Sequence, residues 1–461
     1  MDTKTNASSD TRRYRAIDAA HHIHAFVDQQ ALNAEGPRVI VRGKGLEVWD
    51  SDGKRYLDGM SGLWCTNVGY GRRELIDAAC RQMDELSYYN MFFHTTHPAV
   101  VELSSRLFEL LPGHYSHAIY TNSGSETNDL LIRTVRRYWE IEGKPNKKIL
   151  IGRHNGYHGS TVGSASLGGM AFMHEMGDLP IPGIVHIGEP YGYARSAELT
   201  VDEFGRRCAA ELEAKILELG ADRVAAFVAE PFQGAGGMIF PPDTYWPEIQ
   251  RICRKHDVLL CADEVIGGFG RTGEWFAHQH FNFVPDAISI AKGLTSGYVP
   301  MGGLVLSQRI GEALVERGGV FAHGLTYSGH PVAAAVALAN LDVLHRDGII
   351  DRVRDDTGPY LQRCLREAFA DHPMVGEIQG HGMVAALQLC RDKATRQRFD
   401  DESAVSWHCR CAGFDDGVII RSTLGRMILA PALVIRHDEI DELVEKTRRA
   451  VDRTAAAFAA R

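Results

Sequence analysis

From about Arg72 to Gly329, short apolar runs alternate with longer stretches of helical periodicity, and this alternation narrows the choice of fold more than any other feature of the chain. The runs fall at 116–121, 148–152, 184–187, 224–229, 258–262, 287–290 and 302–306. Strands alternating with helices at this spacing indicate a mostly parallel sheet covered on both faces, because a parallel pair needs a crossover long enough to hold a helix. Sheets of this kind place their ligands at the carboxyl ends of the strands, so chemistry is expected where the runs end.

The flanking segments read differently. Residues 17–30 have helical spacing, 39–50 alternate apolar and polar around Gly43 and Gly45, and Asp50-Ser-Asp-Gly53 punctuates them as a small antiparallel hairpin or meander. His330-Pro-Val-Ala-Ala-Ala-Val-Ala-Leu-Ala-Asn340 starts a long helical region; 377–389, 417–421 and 427–430 resemble strands, and 438–458 is again helical. The two termini are expected to build one discontinuous small α+β domain, residues 1–71 and 336–461, beside a large cofactor domain of 72–335.

Composition excludes several classes of function. With 461 residues, 44% hydrophobic and 24% charged, the chain suits an ordinary soluble protein of more than one core layer. A net charge of -9 gives no basic field for nucleic acid. No apolar stretch approaches the roughly 20 residues needed to span a bilayer. The start, Met1-Asp-Thr-Lys-Thr-Asn-Ala-Ser-Ser-Asp10, is polar with no secretory apolar segment after it, so the cytoplasm is the expected location. Nine scattered cysteines fit reduced thiols. Trp407-His-Cys-Arg-Cys411 has metal-like residue types but no second pair of ligands, and reads as helix surface and core; no metal is assigned.

Three run ends carry chemistry. Thr121-Asn-Ser-Gly-Ser-Glu-Thr-Asn128 opens a helix, and its small residues, Ser123, Gly124 and Ser125, permit a tight turn whose amides would face an anion such as a phosphate, although an ordinary helix cap has the same composition. Asp263 ends the run Asp257-Val-Leu-Leu-Cys-Ala-Asp263, and Lys292, 29 residues later, ends Ala287-Ile-Ser-Ile-Ala-Lys292. A carboxylate that keeps a pyridine nitrogen protonated and an amine that forms a Schiff base are the two groups a pyridoxal phosphate enzyme needs most. Singly, a loop Asp is usually a salt bridge or cap and a Lys usually faces solvent. Together at the ends of two strands they favour pyridoxal 5'-phosphate (PLP).

Val258-Leu-Leu-Cys-Ala-Asp-Glu-Val-Ile-Gly-Gly-Phe-Gly-Arg-Thr-Gly273, followed by Pro285-Asp-Ala-Ile-Ser-Ile-Ala-Lys-Gly-Leu-Thr-Ser-Gly297, resembles the signature of the class III, or omega, aminotransferases, over about residues 15–450. The resemblance implies an α/β fold of PLP fold type I, with a mostly parallel seven-stranded sheet. It also implies a homodimer, or a dimer of dimers, with active sites shared between subunits. Carried onto this sequence, it gives Gly124 and Ser125 to the phosphate, Asp263 to the pyridine nitrogen and Lys292 to the aldehyde. Tyr157, in His154-Asn-Gly-Tyr-His-Gly159, and Val265 would hold the two ring faces, with His158 adjacent. Thr326 would reach the phosphate from the neighbouring subunit, and Glu230 and Gln233 would support the cofactor.

Gly62-Leu-Trp-Cys-Thr-Asn-Val-Gly-Tyr-Gly71, Tyr88-Tyr-Asn-Met-Phe-Phe-His-Thr-Thr-His-Pro98 and Gly417-Val-Ile-Ile-Arg421 resemble the amine:pyruvate branch, closest to its putrescine and polyamine members. Phe26, Trp64, Phe92 and Phe93 would wall the substrate pocket with Tyr157, and Arg421 would grip the carboxylate of pyruvate or alanine. Arg426 departs from the pattern and is a rival cation. The other readings are a beta-alanine or taurine donor, a 2-oxoglutarate acceptor, a mutase or decarboxylase on the same two groups, and a noncatalytic PLP-binding regulator. A nicotinamide oxidoreductase lacks its Gly-rich fingerprint.

Overall fold

The computed structural model describes residues 8–195 and 198–458. The first residues of the polar start, 1–7, and the last of the C-terminal segment, 459–461, lie outside the described residues. The N-terminal segment supplies a meander of β1 (Ile40–Lys44), β2 (Glu47–Asp50) and β3 (Arg55–Asp58). The middle of the chain forms a seven-stranded sheet from β4 (Tyr115–Thr121), β5 (Ile149–Arg153), β6 (Ile184–Ile187), β7 (Val224–Ala229), β8 (Leu259–Asp263), β9 (Ala287–Ile290) and β10 (Gly302–Ser307). Its order is β4-β10-β9-β8-β7-β5-β6, with β10 antiparallel to both neighbours and all other pairs parallel.

Both faces of this sheet are covered, which is why its strands read as continuous apolar runs rather than alternations. Ala226 and Val228 pack on one side with Leu131, Val135 and Trp139 of the helix Gly124–Ile141. Phe227 and Ala229 pack on the other with Leu212 and Ile216 of Val201–Leu219 and Ile249 of Tyr245–Lys255. Successive residues of one strand thus enter two different cores, as a period of two requires.

The termini meet beside this sheet. β3 pairs in parallel with β13 (Val418–Ile419), so a strand from each end of the chain enters one small sheet. A further sheet, β11-β12-β15-β14, consists of Val375–His381, Val384–Leu389, Arg426–Leu429 (β15) and Arg421–Thr423 (β14). The single run expected over 377–389 is therefore a hairpin turning at Gly382, whose φ of +56° favours glycine and whose missing side chain leaves room for Arg271 O, 2.5 Å from where a Cβ would sit. The helix His437–Phe458 closes the chain.

One expected helix is interrupted. Residues 17–30 split into Ser9–His21 and Gln29–Glu35, with Phe26 left-handed at φ +56° between them. Side-chain hydrogen bonds hold the break. Asp18 accepts from His22 and His24, and Asp28 accepts from Ala31 N at 2.9 Å to start the second helix. No described helix is long and apolar enough to cross a membrane.

Because Phe227 is fully buried between β7 and two helices, Phe227→Ala should destabilise the protein by about 3–5 kcal/mol in denaturant unfolding. A loss below about 1 kcal/mol would contradict this account of the sheet's outer core.

Candidate active site

The carboxyl ends of the parallel strands open into a cavity of about 300 Å³. One end is made by the turn after β4. Ser123 Oγ accepts Glu126 N at 3.2 Å, and Glu126 reaches back to Asn122 N at 2.8 Å, so the turn is locked and the helix Gly124–Ile141 begins at the cavity wall. Its first amides have no intrahelical acceptor, which makes this end attractive to an anion. Gly124 allows close packing here, since a Cβ would stand 3.1 Å from Val265 Cγ2. Ser125 is pressed by Gly159 in the same way, and its Oγ accepts Ser160 N at 3.1 Å.

Asp263 is the last residue of β8 and sits on the cavity floor, buried. Its Oδ2 accepts from His158 Nδ1 at 2.7 Å and Asn128 Nδ2 at 2.8 Å, while Oδ1 accepts Val265 N at 3.0 Å. Asn128 is fixed in turn, accepting from Ser289 Oγ at 2.8 Å and donating to His158 O at 2.7 Å. Hydrogen bonds to a charged group contribute about 1.5–3 kcal/mol each, enough to keep a buried carboxylate in one orientation. Asn128 is absent from the sequence-derived site. It shares a helix face with Gly124, four residues earlier, but that spacing alone does not say which face meets the sheet.

Lys292 follows β9 directly, at φ +46°, a left-handed conformation costing roughly 1–3 kcal/mol outside glycine. The turn is held by Gly297 N donating to Lys292 O at 3.2 Å. Burial pulls the Lys292 amine below its usual pKa, against the opposing pull of the nearby Cys65, Asp263 and Glu230. A buried amine with a larger neutral fraction is a better nucleophile and proton acceptor. Glu230, just after β7, is pushed upward by burial, and its two oxygens accept Tyr157 N at 3.1 Å and Gly234 N at 2.8 Å. It thereby fixes the backbone of Tyr157 at the cavity edge. Gln233 is buried and donates to His154 O at 2.9 Å, bracing the same loop.

The N-terminal segment forms the remaining wall. Ser61, Gly62 and Trp64 all have positive φ (+43°, +69° and +57°). Two side chains hold this strained turn. Asp58 accepts Met60 N at 2.9 Å and Gly62 N and Tyr70 Oη at 2.6 Å. Arg271, fully buried, donates to Ser61 Oγ at 2.8 Å, Asn67 Oδ1 at 2.7 Å and Pro431 O, and burial brings its pKa down to about 10. The indole of Trp64 then lies 5.2 Å from the Lys292 amine and 4.6 Å from the guanidinium carbon of Arg421. Arg421 lies on β14, partly buried, and burial lowers its pKa.

Not every expected residue joins this cavity. Ser123, Gly124, Ser125, Tyr157, His158, Glu230, Asp263, Val265 and Lys292 line it, and Trp64 and Arg421 adjoin it through Lys292. Phe26 reaches only its edge, with its ring 6.4 Å from that of Tyr157. Phe92 and Phe93 lie elsewhere. Their rings are 5.8 Å apart, Phe92 packs on Gly324, and Tyr88 Oη donates to Thr326 O at 2.8 Å, so Phe92, Phe93 and Thr326 form one exposed region away from this chain's own cavity. Arg426 is buried against Tyr191 and donates to Gln379 Oε1 at 3.1 Å, and it does not line the cavity. Cys65 does line it, with a thiol that burial pushes up.

The family model for aminotransferase class-III matches residues 30–451. The chain is a class-III aminotransferase. It is 54% identical over 99% of both chains to the putrescine--pyruvate aminotransferase of Pseudomonas aeruginosa, and 42% identical, over 97% of this chain and 96% of the relative, to the diaminobutyrate--2-oxoglutarate transaminase of Halomonas elongata. The crystal structure of the omega transaminase from Pseudomonas jessenii in complex with PMP superposes with a TM-score of 0.94 at 38% identity, covering 96% of this chain and 99% of that one. The aminotransferase is thus an enzyme of PLP fold type I and uses PLP. The cavity suits that group, combining a helix amino end, a fixed carboxylate and a buried amine of lowered pKa.

Asn128→Ala should leave Asp263 with two donors instead of three and Ser289 Oγ without its acceptor. We expect kcat to fall about 10–100-fold, the effect of 1.5–3 kcal/mol, with the visible absorbance of the bound cofactor displaced. Unchanged kcat and spectrum would mean that Asp263 needs no help from the helix.

Proposed function

We propose that this aminotransferase moves the amino group of a primary amine, putrescine or a related polyamine, to pyruvate, releasing an aldehyde and L-alanine. The arrangement of Trp64 and Arg421 carries this reading: an aromatic wall with one cation beside it. An aromatic face accepts an extended alkyl chain and attracts a distal ammonium. Arg421 offers a bidentate grip to a single carboxylate and, being long, can withdraw from an amine that has none. The similarity to the putrescine--pyruvate relative supports the same donor and acceptor.

Bound PLP supplies an electron sink for the pair left when the donor carbon loses its proton. In this reading the amides of Gly124 and Ser125 receive the phosphate, and Asp263, oriented by His158 and Asn128, keeps the pyridine nitrogen protonated. Tyr157 and Val265 confine the ring faces, and Glu230 holds Tyr157 in place. Lys292 Nζ would hold the aldehyde carbon at rest and, once the incoming amine displaces it, would be free to hold the proton that leaves the donor carbon; pyruvate would call on the same residue in reverse. Its lowered pKa eases the return of a proton that it has accepted.

Phe92, Phe93 and Thr326 find a role if a second copy of the chain packs here. The exposed region they share would then complete the partner's cavity, with Thr326 at the phosphate and the phenylalanines on the substrate wall, in a homodimer or a pair of dimers. The pairing of β3 with β13 supports a small domain built from 1–71 and 336–461 around 72–335. Nine cysteines without a bridge fit work in the reducing cytoplasm.

The relative from Halomonas elongata, named for 2-oxoglutarate, motivates a second reading. A dicarboxylate asks for a second cation, and the available candidate, Arg426, is turned to Gln379. Purified enzyme should therefore form L-alanine from putrescine and pyruvate, with kcat/KM for 2-oxoglutarate lower by about tenfold or more. Glutamate formation at equal efficiency would overturn the acceptor assignment, and alanine formation only with another amine would move the donor.

Arg421→Leu should raise KM for pyruvate about 10–100-fold, the effect of losing one charged hydrogen-bond pair, and change KM for putrescine far less. Borohydride treatment of the holoenzyme should leave the cofactor's mass on the peptide carrying Lys292. Its appearance on another lysine would remove Lys292 from the anchoring role.

A further inference from the structure

The metal-like residues of 407–411 do not converge. They lie on the helix Glu402–Asp415, where Cys409 is buried in packing and His408 Nδ1 hydrogen-bonds Thr454 Oγ1 at 3.1 Å. A different set does converge, at the break in the N-terminal helix. Asp18, His22 and His24 bring one carboxylate and two imidazoles together so that their ligand atoms lie within 4.8 Å of one another. Asp18 Oδ1 is 3.1 Å from His22 Nδ1, Asp18 Oδ2 is 2.8 Å from His24 Nε2, and the two ring centroids are 4.3 Å apart.

We propose that Asp18, His22 and His24 form a binding site for one divalent transition ion of the zinc type. Ligands bonded at about 2.0–2.2 Å to a common ion, at angles between square and tetrahedral, stand roughly 3.0–3.5 Å from each other. The oxygen-to-nitrogen separations are already within a few tenths of an ångström of that, so an ion can enter with small side-chain shifts. Two imidazoles and one carboxylate select zinc, nickel or copper over calcium and magnesium, which prefer all-oxygen sets. Three protein ligands leave a position for water.

Without an ion the same atoms are joined by hydrogen bonds, which an ion would replace. The backbone of His24 is fixed independently, its N–H donating to Gln29 Oε1 at 3.0 Å, so the third ligand is placed before any ion binds. His22 is exposed, which gives entry from solvent.

The position gives the site a route to the reaction. Two residues after His24, Phe26 packs its ring 6.4 Å from that of Tyr157 and 6.3 Å from that of Phe172, at the cavity edge. An ion at Asp18, His22 and His24 would tether the segment that carries Phe26. Occupancy should therefore be felt in KM for the amine rather than in kcat, a consequence that rests on the active-site reading above, whereas the binding itself does not.

The test is titration of chelator-stripped, PLP-loaded enzyme with zinc chloride, followed by calorimetry and by metal analysis after gel filtration. We expect a single equivalent retained per chain. His22→Ala, His24→Ala and Asp18→Asn should each weaken binding by at least roughly tenfold, the lower end of what loss of even an outer partner costs. His21→Ala, which alters an exposed histidine of the same helix outside the set, should leave it unchanged. Cofactor absorbance of every variant should match the parent, which separates lost ligation from lost fold. No retained zinc in the parent, or retention that is equal in the His22→Ala/His24→Ala double variant, would overturn the proposal.

Discussion

The carboxylate of Asp263 is the point on which the site's geometry depends. Two elements distant in sequence converge on it, the helix after β4 through Asn128 and the loop after β5 through His158, and its own turn adds Val265 N. Ser289 on the neighbouring β9 fixes Asn128, so the strand that leads into Lys292 is tied to the residue that orients Asp263. Acid and amine are therefore held in a common frame. That frame exists because adjacent parallel strands end at the same edge of the sheet, and a carboxylate buried without three donors would be costly to keep there.

Strain is concentrated where that frame meets the termini. Lys292 and the turn Ser61–Trp64 hold left-handed backbones, and neither is stable by local preference. The second is held by Arg271, which sits on the large-sheet side and donates to Ser61, Asn67 and Pro431. One guanidinium thus connects the turn carrying Trp64 with the strand end that follows β15. Its acceptors are neutral oxygens, so it provides direction rather than charge neutralisation. Burying a cation this way tends to specify an arrangement more than to stabilise it.

These two features also explain which parts of the molecule were legible in the sequence. The strands of the central sheet were, because burial on both faces leaves runs that no surface helix would show, and Asp263 and Lys292 stood at their ends. Asn128 was not, because its role depends on which face of a helix meets the sheet, and apolar periodicity reports only that a face is buried. The break at 22–28 was hidden because side-chain hydrogen bonds hold it, Asp18 with His22 and His24 and Gln29 Oε1 with His24 N, and hydrophobic spacing does not register them. Phe92, Phe93 and Thr326 resemble site residues in sequence, yet within one chain they lie together on an exposed region. Pairwise spacing along a chain cannot say whose cavity a residue serves.

The rival arginines show how a small structural fact separates two similar sequence features. Arg421 and Arg426 lie five residues apart on the two strands of one tight hairpin, and the register pairs Arg421 with Ile428 and Arg426 with Thr423. That register puts both side chains on one face of the hairpin, at opposite ends of it: Arg426, next to the turn, meets Gln379 and Tyr191, while Arg421, at the far end, meets Trp64. The number of cations available to an acceptor is thus set by where along the hairpin each arginine falls rather than by composition, and a wall with one accessible guanidinium favours a monocarboxylate such as pyruvate over a dicarboxylate whose second charge would be left without a partner.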